Sequence, residues 1–175
     1  MTNHVQDKTI IVTGAASGFG RLICQKAISA GAKVVCADIN EGLLNTVVQE
    51  LIGAGGRAIG QHTDVSDLSQ MRGLATKAAE HFGRIDVMVN NAGVMPLAFY
   101  ADHADASAKW SQCIDINIKG VLHGIISVYD QMMAQEEGHV INISSIYGNF
   151  PVAGAGVYGA SKAAVNFLSD SLRGE

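Results

Sequence analysis

Short apolar runs alternate along the chain with longer segments in which apolar residues recur at helical spacing. The apolar runs predict buried strands over Lys8–Thr13, Lys33–Ala37, Arg57–His62, Ile85–Asn90 and His139–Ile143. Strands that alternate with helices through short connections form a parallel sheet covered on both faces. The pattern therefore predicts an α/β fold with a Rossmann-like doubly wound parallel sheet, whose strands follow the order 3-2-1-4-5.

Helical spacing predicts the connections between these strands. A helix of about a dozen residues follows Gly20 and ends at Gly31, where a glycine can close it. Further helices are predicted over Glu41–Ile52, Leu68–Phe82 and Ser107–Gln135, and the last one begins at Val157. Pro96–Asp105 is predicted to be a loop.

Length and composition narrow the class of protein. The chain has 175 residues, of which 48% are hydrophobic and 16% are charged, and this suits one domain over 1–175. The net charge is -4 and the basic residues are scattered singly, which argues against a nucleic-acid partner. The N-terminal segment Met1–Lys8 is polar and no apolar run approaches membrane-spanning length, so we expect a cytoplasmic protein without a membrane partner.

The cysteines and histidines do not form a metal-ligand pattern. Cys24, Cys36 and Cys113 are odd in number and widely spaced, which fits reduced thiols that are buried or incidental. The six histidines also lie far apart, without the spacing of metal ligands. We therefore expect no metal.

A glycine-rich turn lies between the first strand and the first helix. Glycines let the backbone approach a pyrophosphate, and the unpaired N–H groups of the helix N-terminus favour its charge. Such a turn is weak evidence alone and stronger evidence between these two elements. The residues predicted to bind a dinucleotide here are Thr13, Gly14, Ser17, Gly18, Phe19 and Gly20.

Residues at the ends of later strands extend this predicted site. Asp38 ends the second strand about 20 residues after the turn, the spacing at which a carboxylate binds the adenosine ribose. A carboxylate there would repel a 2′-phosphate and Ser17 brings no positive charge, so NAD is favoured and NADP is less expected. Asp64 and Val65 are placed to flank the adenine, although Asp64 could instead start the next helix.

Asparagines end the fourth strand. They could tie neighbouring backbones together or contact the cofactor, and the sequence does not decide between these roles for Asn90. The residues predicted to contact the cofactor in this segment are Asn91, Ala92 and Gly93.

Tyr158 and Lys162 are four residues apart in the last predicted helix and therefore share a face. A cation beside a phenol favours the phenolate, so such a tyrosine can exchange a proton with an alcohol or carbonyl oxygen. Ser145, on the preceding loop, could hydrogen-bond the same oxygen. Taken alone, a Tyr–Lys pair at this spacing is more often an exposed pair without a role.

Asn117 lies inside the long predicted helix over Ser107–Gln135. A helix-interior asparagine is mildly unfavourable, which calls for a reason. Bridging or capping of backbone groups and participation in catalysis are the two explanations.

Together these motifs resemble those of the short-chain dehydrogenase/reductase family, and the resemblance covers essentially the whole chain. The matching residues are Thr13-Gly14-x-x-x-Gly18-x-Gly20, Asp64, Asn90-Asn91-Ala92-Gly93, Asn117, Ser145 and Tyr158-x-x-x-Lys162. The resemblance implies NAD(H)-dependent hydride transfer between nicotinamide and a secondary alcohol or ketone. The alternative is a non-catalytic dinucleotide-binding or regulatory protein that kept the fold, and the intact catalytic set argues against it.

The same resemblance implies a role for each catalytic residue. Tyr158 would be the general acid/base, and Lys162 would favour its phenolate and hold the nicotinamide ribose. Ser145 would orient the substrate oxygen. Asn117 would bind a water that links Lys162 to solvent.

The resemblance also raises expectations about the C-terminus and the assembly. Family members continue past the Tyr158 helix with two more strands, a loop that helps to hold the nicotinamide, and a mobile lid. Either the sequence is part of a longer protein or the protein is truly short and lacks these last strands. We expect the first, since the fifth strand would otherwise be an unpaired apolar edge. The family usually forms homodimers or homotetramers. Residues that suggest an apolar substrate, or are only core, are Leu97, Phe99, Tyr147, Phe150 and Val152.

Overall fold

The computed structural model describes residues 4–175, so residues 1–3 of the polar N-terminal segment lie outside the described residues. The strands are β1 Thr9–Thr13, β2 Lys33–Asp38, β3 Arg57–His62, β4 Val87–Asn90 and β5 His139–Asn142. All of these strands pair in parallel, in the order β3-β2-β1-β4-β5, which confirms the predicted sheet.

The helices connect these strands as expected for a doubly wound fold. They are α1 Gly18–Ser29, α2 Glu41–Gly53, α3 Leu68–Phe82, α4 His103–Ile114, α5 Gly120–Gln135 and α6 Gly156–Arg173. Short 3₁₀ turns lie at Tyr100–Asp102 and Ile146–Gly148, and a π-helical turn over Asp115–Lys119 joins α4 to α5. No helix within residues 4–175 is both long enough and apolar enough to cross a membrane.

The structure corrects the sequence prediction at two places before and within the long helix. The predicted loop over Pro96–Asp105 is wrong after Phe99, because a 3₁₀ turn starts at Tyr100 and α4 starts at His103. The Tyr100 ring packs edge-on against the Trp110 ring of α4, with 5.7 Å between centroids, and this contact holds the turn on the helix. The predicted single helix over Ser107–Gln135 is interrupted by the π-helical turn.

Alternate strand residues supply two separate cores, one on each face of the sheet. Ile10 and Val12 pack with residues of α1 and α2. Ile11 and Val35 face the other way and pack with residues of α3 and α5. The cysteines are free and buried, as expected.

Helix α6 packs on the second face through Val165, which joins Val121 and Ile125 of α5 in a further apolar cluster. This packing fixes the helix that carries Tyr158 beside the π-helical turn. The segment directly after β5 meets the first half of α6, where the Ser144 hydroxyl bonds to the carbonyl of Lys162.

Candidate active site

A cleft of about 370 Å³ opens at the carboxyl ends of the strands. Its lining includes most of the predicted cofactor residues, namely Gly14, Ser17, Gly18, Phe19, Asp38, Asp64, Val65, Asn91, Ala92 and Gly93. Four further residues line the cleft that were not predicted from the sequence, namely Ile39, Thr63, Val94 and Ile116. The first three directly follow or precede a predicted residue at a strand end, which was a usable signal. Ile116 reaches the cleft from the π-helical turn, which no local pattern in the sequence predicts.

The glycine-rich turn brings α1 directly onto the end of β1. A Cβ atom at Gly20 would overlap the carbonyl oxygen of Gly14, so only glycine permits this approach. Gly18 has a φ of 51°, and a Cβ atom built there meets nothing within 4 Å. Open space therefore lies beside Gly18 at the N-terminus of α1, where the first backbone N–H groups of the helix are found.

Thr13 and Asn91 join β1 to the segment after β4. The Thr13 hydroxyl accepts hydrogen bonds from the N–H groups of Asn91 and Ala92, both at 3.1 Å, and donates to the carbonyl of Val89 at 3.3 Å. The Asn91 side chain donates to the carbonyl of Thr13 at 2.9 Å. Both residues therefore fix the floor of the cleft, and the backbone-tying role considered for the asparagines is present at Asn91.

Asn90 has a different partner. Its side chain donates to the Asn142 side chain at 2.8 Å, across the β4–β5 pairing in which these residues are opposite each other. Asn90 is buried and does not line the cleft. This geometry favours the structural role for Asn90.

Asp38 lies at the far end of the cleft with its carboxylate held from two sides. One oxygen accepts from the N–H of Ala16 in the glycine-rich turn and the other from the N–H of Asn40, both at 2.9 Å. Each carboxylate oxygen has a second lone pair, so both can still accept from ribose hydroxyls. The carboxylate is therefore positioned before any ligand arrives.

Asp64 does not start the next helix. The N-terminal cap of α3 is Asp67, which accepts from the N–H groups of Ser69 and Gln70. The Ser69 hydroxyl and the Gln70 side-chain amide also donate to its carboxylate, and these side-chain bonds, together with the two backbone bonds, lower the pKa of Asp67 to about 2. Asp64 instead accepts from the N–H and hydroxyl of Ser66 and lines the cleft. The spacing of Asp67 and Gln70 is that of a capping box, a signal that the sequence analysis did not use.

The residues present fit a dinucleotide. Open space at Gly18 adjoins the helix N-terminus, which suits a pyrophosphate. Asp38 stands at one end of the cleft and Gly93 at the other. A dinucleotide bound along the cleft would therefore meet Asp38 at its adenosine ribose and the helix N-terminus beside Gly18 at its pyrophosphate.

Lys162 lies beyond Gly93 and is almost fully buried. Its Nζ atom donates to the carbonyl of Ile143 at 2.8 Å and lies 5.9 Å from the centroid of the Tyr158 ring. Burial lowers the pKa of Lys162, because desolvation penalises the ammonium form. The predicted Tyr158–Lys162 pair is therefore a part-buried pair and not an exposed one.

Two serines follow β5 beside this pair. Ser144 donates from its hydroxyl to the carbonyl of Lys162 at 3.1 Å. The Ser145 hydroxyl accepts from the N–H of Tyr147 at 3.2 Å, which leaves its own hydrogen available. The rings of Tyr147 and Tyr158 pack edge-on with 6.0 Å between centroids. Tyr147 is thus the aromatic side chain in contact with the predicted acid/base.

Asn117 is fully buried in the π-helical turn and bridges to the backbone of Val94. Its Oδ1 accepts from the N–H of Val94 and its Nδ2 donates to the carbonyl of the same residue, both at 2.9 Å. The bridging explanation for a helix-interior asparagine is therefore correct. Its catalytic role stays a prediction.

Comparisons with known proteins agree with this geometry. The family model described as "short chain dehydrogenase" matches residues 8–175. The 2,5-dichloro-2,5-cyclohexadiene-1,4-diol dehydrogenase LinX of Sphingobium indicum is 34% identical over 170 residues, which cover 97% of this chain and 67% of that protein.

Two solved structures show the same fold. A short chain dehydrogenase/reductase from Burkholderia phymatum in complex with NAD has 38% identity and a TM-score of 0.92 over 98% of this chain. A metagenomic short-chain oxidoreductase in complex with NADP has 35% identity and a TM-score of 0.89, also over 98% of this chain. The match spans 60% of the first of these chains and 76% of the second.

Proposed function

Because the chain belongs to the short-chain dehydrogenase family, we propose that it transfers a hydride between nicotinamide and a secondary alcohol or ketone. The observation that carries the proposal is the position of Gly93. A Cβ atom built on this cleft residue would lie 3.2 Å from Asn117 Oδ1 and 3.5 Å from Lys162 Nζ. The dinucleotide cleft therefore ends beside the lysine that shares a helix face with Tyr158.

Tyr158 is the proposed general acid/base. Nζ of Lys162 lies 5.9 Å from the centroid of its ring, and a phenol at this place is proposed to give a proton to a ketone oxygen or to take one from an alcohol. The free hydrogen of the Ser145 hydroxyl is proposed to bind the same oxygen and to orient it. The bound nicotinamide supplies or accepts the hydride.

Lys162 and Asn117 complete the proposed proton path. Lys162 is proposed to hold the nicotinamide ribose. Asn117 is proposed to hold a water that links Lys162 to solvent. Since the side-chain atoms of Asn117 already bond to Val94, we assign this water to the main-chain carbonyl of Asn117, within the π-helical turn.

NAD(H) is the proposed cofactor, with NADP(H) less favoured. The carboxylate of Asp38 would repel a 2′-phosphate, and the described residues that line the cleft include no lysine or arginine to offset it. The neighbouring structures hold NAD in one case and NADP in the other, so the preference rests on Asp38.

The proposed substrate is an apolar alcohol or ketone. Met95, Leu97, Phe99 and Phe150 are exposed in the two loops that precede α4 and α6. These loops join where the N–H of Ala98 donates to the carbonyl of Gly154 at 2.9 Å.

We further propose a single cytoplasmic domain that assembles as a homodimer or homotetramer.

The test combines cofactor binding with a turnover screen. NADH and NADPH are titrated separately by calorimetry, and the protein is then assayed with secondary alcohols and the matching ketones. Binding of NADH together with turnover supports the proposal. NADH binding without any turnover favours the non-catalytic dinucleotide-binding alternative. Tighter binding of NADPH than of NADH contradicts the proposal that Asp38 selects NAD(H).

A further inference from the structure

We propose that Ser161 is a positioning residue that holds the inner end of the cofactor cleft in register with the helix turn that carries Tyr158. Ser161 lies between Tyr158 and Lys162 in α6 and is 1% exposed. It does not line the cleft, and it bonds to the main chain of Tyr158 and to the side chain of Asn117 rather than to the Tyr158 phenol. Its catalytic consequence rests on the proposed function, whereas its structural part can be tested without turnover.

A chain of hydrogen bonds connects the two regions through Ser161. The Ser161 hydroxyl donates to the main-chain carbonyl of Tyr158 at 2.7 Å. The same oxygen accepts from Nδ2 of Asn117 at 3.0 Å. Asn117 in turn holds both backbone groups of Val94, which lines the cleft beside Gly93. A continuous path of hydrogen bonds therefore runs from Ser161 through Asn117 to Val94.

The direction of these bonds leaves little freedom. The N–H of Val94 can only donate, so it fixes Oδ1 of Asn117 on its side and Nδ2 on the side of Ser161. The hydroxyl hydrogen of Ser161 is used on Tyr158, so its oxygen is the acceptor for Nδ2. Cys113 is the other side chain beside Nδ2, at 3.3 Å, and a thiol sulfur is a weak acceptor. Ser161 is thus the strong side-chain acceptor that Asn117 has here.

Ser169 provides a matched control in the same helix. Its hydroxyl donates to the carbonyl of Val165 at 2.7 Å and accepts from Nδ2 of Asn142 at 2.9 Å. The bonding pattern equals that of Ser161, but the asparagine concerned lies on β5 and not in the π-helical turn. Loss of Ser169 therefore removes equivalent bonds without touching Val94.

The experiment compares Ser161→Ala and Ser169→Ala in the full chain. Hydrogen exchange of the Val94 amide is followed by NMR, since this N–H lies outside helices and strands and bonds to Asn117. We expect exchange about fivefold faster in Ser161→Ala, as one lost hydrogen bond predicts, and unchanged in Ser169→Ala. Unchanged Val94 exchange in Ser161→Ala would overturn the proposal.

Kinetics then test the catalytic consequence. Ser161→Ala is expected to lower kcat about tenfold with KM and NADH affinity within about twofold, because only the alignment of Tyr158 is disturbed. An equal loss in Ser169→Ala, or an unchanged kcat in Ser161→Ala, contradicts the positioning role. If the wild-type chain turns over no alcohol or ketone, the proposed function fails, and Val94 exchange alone decides whether Ser161 holds this segment.

Discussion

The Nζ atom of Lys162 donates a 2.8 Å hydrogen bond to the main-chain carbonyl of Ile143, directly after β5. A buried ammonium group is costly, and that cost is visible as a lowered pKa of Lys162. The chain nevertheless has this buried lysine at the point where the cleft meets Tyr158. Such a conflict between stability and position is typical of residues kept for function.

Replacement of Lys162 by methionine should therefore stabilise the fold while it abolishes turnover. Removal of the buried charge is expected to add about 1 kcal/mol to the free energy of unfolding at pH 7. Because the folded pKa is lowered, the unfolded state binds more protons between that pKa and 10.5, so wild-type stability should rise with pH across this window. The variant should lack that rise. Urea unfolding at neutral and alkaline pH measures both effects.

The control for this prediction is Lys26→Met on the exposed side of α1. It should change neither the stability at pH 7 nor its alkaline dependence. A Lys162→Met protein that is less stable than wild type would show that the Ile143 hydrogen bond outweighs the burial cost.

Tyr158→Phe should remove turnover and spare cofactor binding. The phenylalanine ring preserves the packing against Tyr147 but has no proton to exchange. Loss of a general acid/base costs about 10²- to 10⁴-fold in rate, while NADH affinity measured by calorimetry should stay within about twofold. Tyr129→Phe on α5 is the matched control and should keep full activity. Substantial residual turnover in Tyr158→Phe would refute the assignment.

Asp38→Ala should shift the cofactor preference toward NADPH. The change removes the carboxylate that repels a 2′-phosphate, and with it the acceptor for the N–H of Ala16. We expect the ratio of NADH to NADPH affinity to fall about tenfold, which corresponds to about 1.4 kcal/mol. Separate calorimetric titrations measure the ratio. Asp130→Ala on α5 serves as control, and an unchanged ratio in Asp38→Ala would assign the preference elsewhere.

Gly20→Ala should disrupt the cofactor cleft, whereas Gly53→Ala should not. A Cβ atom at Gly20 would overlap the carbonyl of Gly14, so α1 must move away from β1. Both the melting temperature and NADH affinity should drop. At Gly53, in the last turn of α2, a Cβ atom meets nothing within 4 Å. Gly53→Ala should therefore gain about 0.5–1 kcal/mol of stability with unchanged NADH affinity. Tight NADH binding by Gly20→Ala would contradict the close-approach explanation.

The sequence was sufficient to predict the fold because its periodicities are local. Each apolar run lies next to its turn residues in the chain, so the strands, their order and the turn before α1 could all be predicted. The same locality allowed residues at strand ends to be predicted that line the cleft, including Asp38 and Asn91. The proximity of Tyr158 and Lys162 could be predicted as well, because helical spacing alone places them on one face.

What the sequence did not predict depends on contacts between distant segments. The π-helical turn forms where Asn117 pairs with the backbone of Val94, which lies 23 residues earlier. The burial of Lys162 depends on β5 and on Gly93, neither of which its own helix reveals. In each case tertiary packing decided a feature that local pattern leaves open.

Asp86→Asn should destabilise the opposite end of the sheet from the cleft. Burial would raise the pKa of Asp86, but the N–H of Thr9 and the side chains of Lys8 and Arg84 outweigh it and lower the pKa. Both cations are partly exposed, so we expect a loss of about 2 kcal/mol at pH 7, less than for a fully buried pair. Since the folded pKa is lowered, the carboxylate's contribution is present above about pH 4 and is lost as pH falls through the folded pKa. Urea unfolding should therefore separate wild type and variant at pH 7 and bring them together in acid. The control is Asp170→Asn, because the exposed Asp170 carboxylate lies 3.9 Å from Arg173, and this variant should change stability at neither pH. A stability difference between wild type and Asp86→Asn that stays constant at all pH values would argue against an ionised Asp86 as the stabilising group.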